Sequence, residues 1–132
     1  MRRVENNFCL FIIILIIQSC NGNAICVNTV QKTIISKSGN IIRFSIEDSI
    51  DTYRFQLKNN VKSQTIVDLR DIAQNNNLVE NYPNAGIKSF YLQPNMKYVF
   101  SNDTDGDAST GIVKFNTDSL GNLHKLDNAV CE

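Results

Sequence analysis

The stretch 87–100, Ile-Lys-Ser-Phe-Tyr-Leu-Gln-Pro-Asn-Met-Lys-Tyr-Val-Phe, decides how this 132-residue chain is read. Phe90 and Leu92 alternate toward one side, Pro94-Asn95 turns the chain, and Tyr98 and Phe100 begin a new strand. Period-two alternation broken by a proline turn is the mark of a β segment that changes direction. Just as regular is 52–58, where Tyr53, Phe55 and Leu57 face one way and Arg54, Gln56 and Lys58 the other. That pattern belongs to a half-buried strand.

Outward from these two stretches the chain keeps the same character. Residues 25–36 are rich in β-branched side chains and read as one strand, followed by a turn at Lys37-Ser38-Gly39-Asn40 and a return strand over 41–46. Residues 65–69 suit a strand. Ile66, Leu69, Ile72 and Ala73 also fall near helical spacing, so a strand running into a short helical turn near 68–74 is expected. The asparagine-rich stretch 75–86, with Pro83, reads as a long loop. Strands over 112–116 and 123–126, joined by a turn at 119–122, close the chain. Around eight short segments separated by turns predict an all-β, single antiparallel β-sandwich.

The pattern Leu92-x-Pro94-x-x-x-Tyr98 resembles the tyrosine corner of immunoglobulin-like and fibronectin type III-like sandwiches. The resemblance implies that Leu92 packs inward, Pro94 carries the crossing and the Tyr98 hydroxyl bonds back to the backbone. A plain strand–turn–strand with a core tyrosine is the alternative. The chain has no tryptophan, so it is not an antibody-type domain.

The first twenty residues have a different character. Arg2 and Arg3 precede a ten-residue apolar run, Phe8 to Ile17, too short for the about 20 residues of a membrane span. Its length and flanks fit a secretory signal. Ile17-Gln18-Ser19-Cys20 resembles the lipobox of bacterial, Bacteroidetes-type lipoproteins, with Gln18 a departure from its usual small or aliphatic residue. The resemblance implies a signal peptide over 1–19, acyl chains on Cys20, a tether over 20–24 and a sandwich domain over 25–132. More than one acyl chain gives stable anchoring. Asn21 is not the aspartate of inner-membrane retention, and no acidic run follows Cys20, so the implied location is the outer membrane, on its periplasmic face. Plain secretion, cleaved after Gly22-Asn23-Ala24, is the other exported reading.

Removing residues 1–19 leaves 113 residues, enough for one core. Arg2, Arg3 and Glu5 leave with them, so eleven basic side chains face twelve acidic ones. That balance gives no electrostatic footprint for nucleic acid. With Cys9 removed and Cys20 acylated, Cys26 and Cys131 remain. Two thiols in an oxidising compartment read as a disulfide, two free inert thiols being the alternative.

The chemistry-bearing candidates are few. Asp103, Asp105 and Asp107 flank Gly106 in a polar loop and could supply calcium oxygens, although the spacing departs from an EF-hand and a solvated turn is the preferred reading. His124 stands alone on an edge strand. The acid pairs Glu47/Asp48 and Asp68/Asp71 fall in polar turns, and no nucleophile elbow or phosphate loop is present. Asp48-Ser49-Ile50 and Asp118-Ser119-Leu120 resemble Bacteroidetes O-glycosylation sites, and Asn102-Asp103-Thr104 has the form of an N-glycosylation sequon. The expectation is a non-enzymatic, cofactor-free protein held to the membrane by its lipid and binding another protein or a glycan. An immunity protein against a delivered toxin and a structural accessory lipoprotein of an envelope assembly are the alternatives.

Overall fold

The computed structural model describes residues 23–104, 110–127 and 131. Two antiparallel sheets pack face to face as a β-sandwich. The smaller has the order β1 (Ile25–Asn28), β2 (Thr33–Ser36), β5 (Ile66–Asp68). The larger has the order β6 (Leu78–Tyr82), β4 (Thr52–Leu57), β3 (Arg43–Glu47), β7 (Lys97–Asn102), β8 (Gly111–Thr117), β9 (Leu123–Lys125).

Alternation sends one side of each strand into the core. Ile25, Val27, Ile34 and Val67 come from the small sheet, and Phe44, Ile46, Phe55, Leu57, Tyr98, Phe100, Val113 and Phe115 from the large one. The rings form a connected column. Phe44 stacks between Phe55 and Phe100 at centroid distances of 5.1 and 4.9 Å. Phe90 meets Tyr53, Phe55 and Tyr98 edge-on, and Tyr98 stacks on Phe115 at 5.3 Å. Such pairs add about 0.5–1.5 kcal/mol each beyond area burial. Phe90 belongs to no strand: the alternation at Phe90 and Leu92 comes from an irregular segment that covers the core.

Three elements differ from the sequence reading. The strand expected over 25–36 is a hairpin, because Asn28 Oδ1 accepts the Gln31 amide at 2.9 Å and Lys32 adopts a left-handed φ of 55°. The loop expected over 75–86 contains β6, which the pairing of Leu57 with Leu78 and Gln56 with Val79 holds against β4. The helical turn near 68–74 takes the form of i→i+3 bonded turns, and there is no helix among the described residues.

The start of the domain is fixed earlier than the tether boundary at residue 24 implies. Asn23 is 4% exposed; its Nδ2 donates to the Thr104 carbonyl at 3.2 Å, and Asn102 Nδ2 donates to its backbone carbonyl at 3.4 Å. Gly111 lies directly beneath it: a Cβ there would stand 1.8 Å from the Asn23 carbonyl oxygen.

Cys26 of β1 is bridged to Cys131, with Cα atoms 5.1 Å apart at a sequence separation of 105. The Cys131 amide also donates to Val27 O at 3.3 Å, so the chain end returns to the first strand. A loop this long removes much freedom from the unfolded chain. Reduction is expected to cost about 2–4 kcal/mol, read as a lower urea midpoint in dithiothreitol; an unchanged midpoint contradicts it. Gly111→Ala is expected to cost about 1–3 kcal/mol through the forced shift at Asn23, measurable in the same assay.

Candidate functional site

The outer face of the large sheet carries a shallow hollow of about 400 Å³, lined by Arg43, Arg54, Gln56, Asn81 and Asp103 among others. Register assembles it from three strands. Arg43 stands opposite Gln56, and Ser45 opposite Arg54. These side chains alternate with the core residues Phe44, Phe55 and Leu57, so they share the solvent side. A register shift between Arg54 and Phe55 marks a bulge where β4 meets β6, and beyond it Asn81 and Tyr82 are both exposed. Bulges re-aim side chains in this way.

The hollow's groups are held by their neighbours. Asn81 Nδ2 donates to Gln56 Oε1 at 3.2 Å. The Arg54 guanidinium lies 5.7 Å from the centroid of the half-exposed Tyr82 ring. Ser45 Oγ donates to Asp103 Oδ2 at 3.3 Å, and the Asp103 amide donates to the Arg43 carbonyl. The result is an open surface of planar donors and acceptors beside an aromatic ring. It suits hydroxyl-rich or peptide ligands; it does not assemble an activated nucleophile with a base.

Asp103, the first of the three calcium candidates, is engaged by Ser45; Asp105 and Asp107 lie outside the described residues, as does Cys20. Among the described residues no group of three His, Cys, Asp or Glu side chains is placed to hold a metal ion. His124 is exposed on β9, with Nε2 3.2 Å from Asp118 Oδ2. Asp68 binds Arg70 at 2.6 Å, and that hydrogen bond holds its carboxyl below the usual carboxylate range. Asn102 of the sequon is fully buried, which closes its amide to a glycan, whereas Ser49 and Ser119 are exposed.

One carboxylate went unnoticed in the sequence. Glu80 is 0% exposed and accepts hydrogen bonds from Ser89 N at 2.6 Å and Ser89 Oγ at 3.0 Å. Its carbonyl accepts the Gly86 amide at 3.0 Å, so it ties the 83–89 segment over the edge at β6. Its place on the core side of β6, next to the buried Leu78, was the available signal, but the reading of 75–86 as a loop hid it.

Two of the expected corner contacts are formed, those of Leu92 and Tyr98. Leu92 packs against the core, and the Tyr98 hydroxyl accepts the Gln93 amide at 2.8 Å. Burial is the main cause that pushes the Tyr98 phenol above its ordinary pKa. Thr117 Oγ1 joins the same corner by accepting the Met96 amide at 3.0 Å. Tyr98→Phe strands the Gln93 amide and is expected to cost about 1–3 kcal/mol, read by urea denaturation; an unchanged stability means the corner bond contributes nothing.

Comparison of the chain with protein-family models, curated proteins and solved structures finds no match.

Proposed function

We propose that this chain is a lipid-anchored, non-enzymatic envelope protein that binds a glycan or another protein close to a membrane, with the outer membrane's periplasmic face as its location. The pinned start of the domain carries this reading. Asn23 is already a buried part of the sandwich, three residues after Cys20. With acyl chains on Cys20, Asn21 and Gly22 alone would separate the lipid from a fixed point of the fold, about 10 Å of extended chain. A lipid handle would then hold a rigid domain at the surface of the bilayer.

The polar hollow supports the binding half of the proposal. The amides of Gln56 and Asn81 and the Arg54 guanidinium offer paired donors and acceptors of the kind that meet sugar hydroxyls, with the Tyr82 ring beside them. A protein ligand is the second reading. It is favoured by exposed aliphatic side chains at one end of the sandwich, Val30, Ile50 and Leu120. An immunity protein or an accessory lipoprotein of an envelope assembly would be specific forms of it.

Two measurements test the proposal. Metabolic labelling with an alkyne fatty acid is expected to mark the wild-type chain and not Cys20→Ala, which is expected to move from the membrane to the soluble fraction. An unlabelled, soluble wild type contradicts the anchor. On a panel of envelope and dietary glycans, Arg54→Ala and Gln56→Ala are each expected to weaken binding about tenfold, equivalent to about 1.4 kcal/mol. Binding unchanged by either substitution removes the hollow as the glycan site.

A further inference from the structure

Three tripeptides of one form occupy turns at the same end of the sandwich: Asn28-Thr29-Val30, Asp48-Ser49-Ile50 and Asp118-Ser119-Leu120. In each, the first residue caps the turn through its side chain. Asn28 Oδ1 accepts the Gln31 amide, Asp48 Oδ1 those of Ile50 and Asp51 at 2.7 and 2.8 Å, and Asp118 Oδ1 those of Leu120 and Asn122 at 2.8 Å. In each, the third residue is an aliphatic left in solvent: Val30 is 89% exposed, Ile50 77% and Leu120 82%. Side-chain caps of this kind fix the local backbone.

The turns also bind one another in a row. The Lys32 ammonium donates to the Gly121 carbonyl at 2.8 Å, joining the first turn to the third. The Asn95 amide donates to the Asp118 carbonyl at 3.1 Å, and Ser49 Oγ donates to Met96 Sδ at 3.1 Å, joining the third to the second through 95–96. The three aliphatic tips therefore stand on one braced platform.

We infer that this end of the sandwich is a docking surface for a protein partner, on which Val30, Ile50 and Leu120 enter an apolar depression rimmed by lysine or arginine. Charge favours that occupant. Glu47, Asp48, Asp51 and Asp118 stand in or beside the turns, against Lys32 and Lys97, and Lys32 is already engaged with Gly121. Asp118 is held far below the usual carboxylate range, first by the Asn122 amide, then by the Asn122 side chain and His124, so it stays ionised. Carboxylates around aliphatic tips oppose an anionic lipid surface and the same end of a second copy of this chain alike, and they attract a cationic rim. The chain before residue 23 enters at the other end, beside Thr104 and Gly111. The direction of the surface, away from the bilayer, rests on the anchored reading; the surface itself does not.

The test is photo-crosslinking of the full-length chain in its own cells, with a benzophenone side chain at position 30, 50 or 120 and control positions 37 and 62 on the tether-end loops. The expected result is one polypeptide adduct shared by all three tip positions and absent from the controls. Its crosslinked peptide carries aliphatic residues flanked by Lys or Arg, and Ile50→Asp lowers the adduct at position 120 at least tenfold while leaving Tm unchanged. Adducts only with lipid, adducts with a second copy of this chain, equal adducts from the controls, or no adduct overturn the inference. A glycan on Ser49 or Ser119 that covers the aliphatics does the same. Fractionation of the same cells reads the anchor separately: a soluble chain that still gives the shared adduct refutes the anchor and keeps the docking surface.

Discussion

Asn23 and Gly111 meet backbone against backbone, and that contact fixes where the chain enters the sandwich. No side chain fits between them, since a Cβ at 111 would overlap the Asn23 carbonyl oxygen. The surrounding bonds leave Asn23 little freedom: its amide is held by Thr104, its carbonyl by Asn102, and Thr104 Oγ1 also accepts the Ile42 amide at 2.9 Å. One knot thus joins the entering chain, the 40–42 segment that crosses between sheets, the end of β7 and the start of β8. The disulfide repeats the theme from the other terminus, returning Cys131 to β1.

The rest of the fold divides labour between the two ends of the strands. In the middle, the aromatic column from Tyr53 to Phe115 gives the sheets a common core. At the end away from Asn23, polar side chains cap the turns: Asn28, Asp48 and Asp118 accept the amides that a tight turn leaves unpaired. Capping by Asn and Asp leaves the following positions free of local duty. Aliphatics at those positions bury little within the chain, on turns whose backbone is capped. Exposed apolar side chains scattered singly need no explanation; three on one braced platform do.

Much of this was legible in the residues. The alternation over 52–58 became β4 with almost its expected bounds, and Leu92 and Tyr98 make the core and backbone contacts expected of them. The pairing of Cys26 with Cys131 followed from counting thiols. What was missed was decided by tertiary partners. The turn at 29–32 contains neither glycine nor proline, and the left-handed Lys32 is paid for by Asn28 and by the distant Gly121 carbonyl. β6 looks like loop because its asparagines and Pro83 signal turns, but β4 supplies the ladder that overrides them. The hollow was invisible for the same reason: Arg43, Arg54 and Asn81 become neighbours only through strand register. The repeated Asn/Asp-Ser/Thr-aliphatic form was readable at two of its three sites. That all three share one end was not.

With acyl chains on Cys20, as we propose, the sandwich would be held by its Asn23 end with the capped turns pointing outward. β8 alone spans seven residues, about 23 Å at a strand's rise, so the two ends stand at distances from a bilayer that energy transfer separates easily. The direct measurement places a donor fluorophore at position 37 or at position 120 of the acylated chain in vesicles containing a headgroup acceptor dye. The expected result is efficient transfer from 37 and markedly weaker transfer from 120. Equal transfer from the two positions, or stronger transfer from 120, would contradict it.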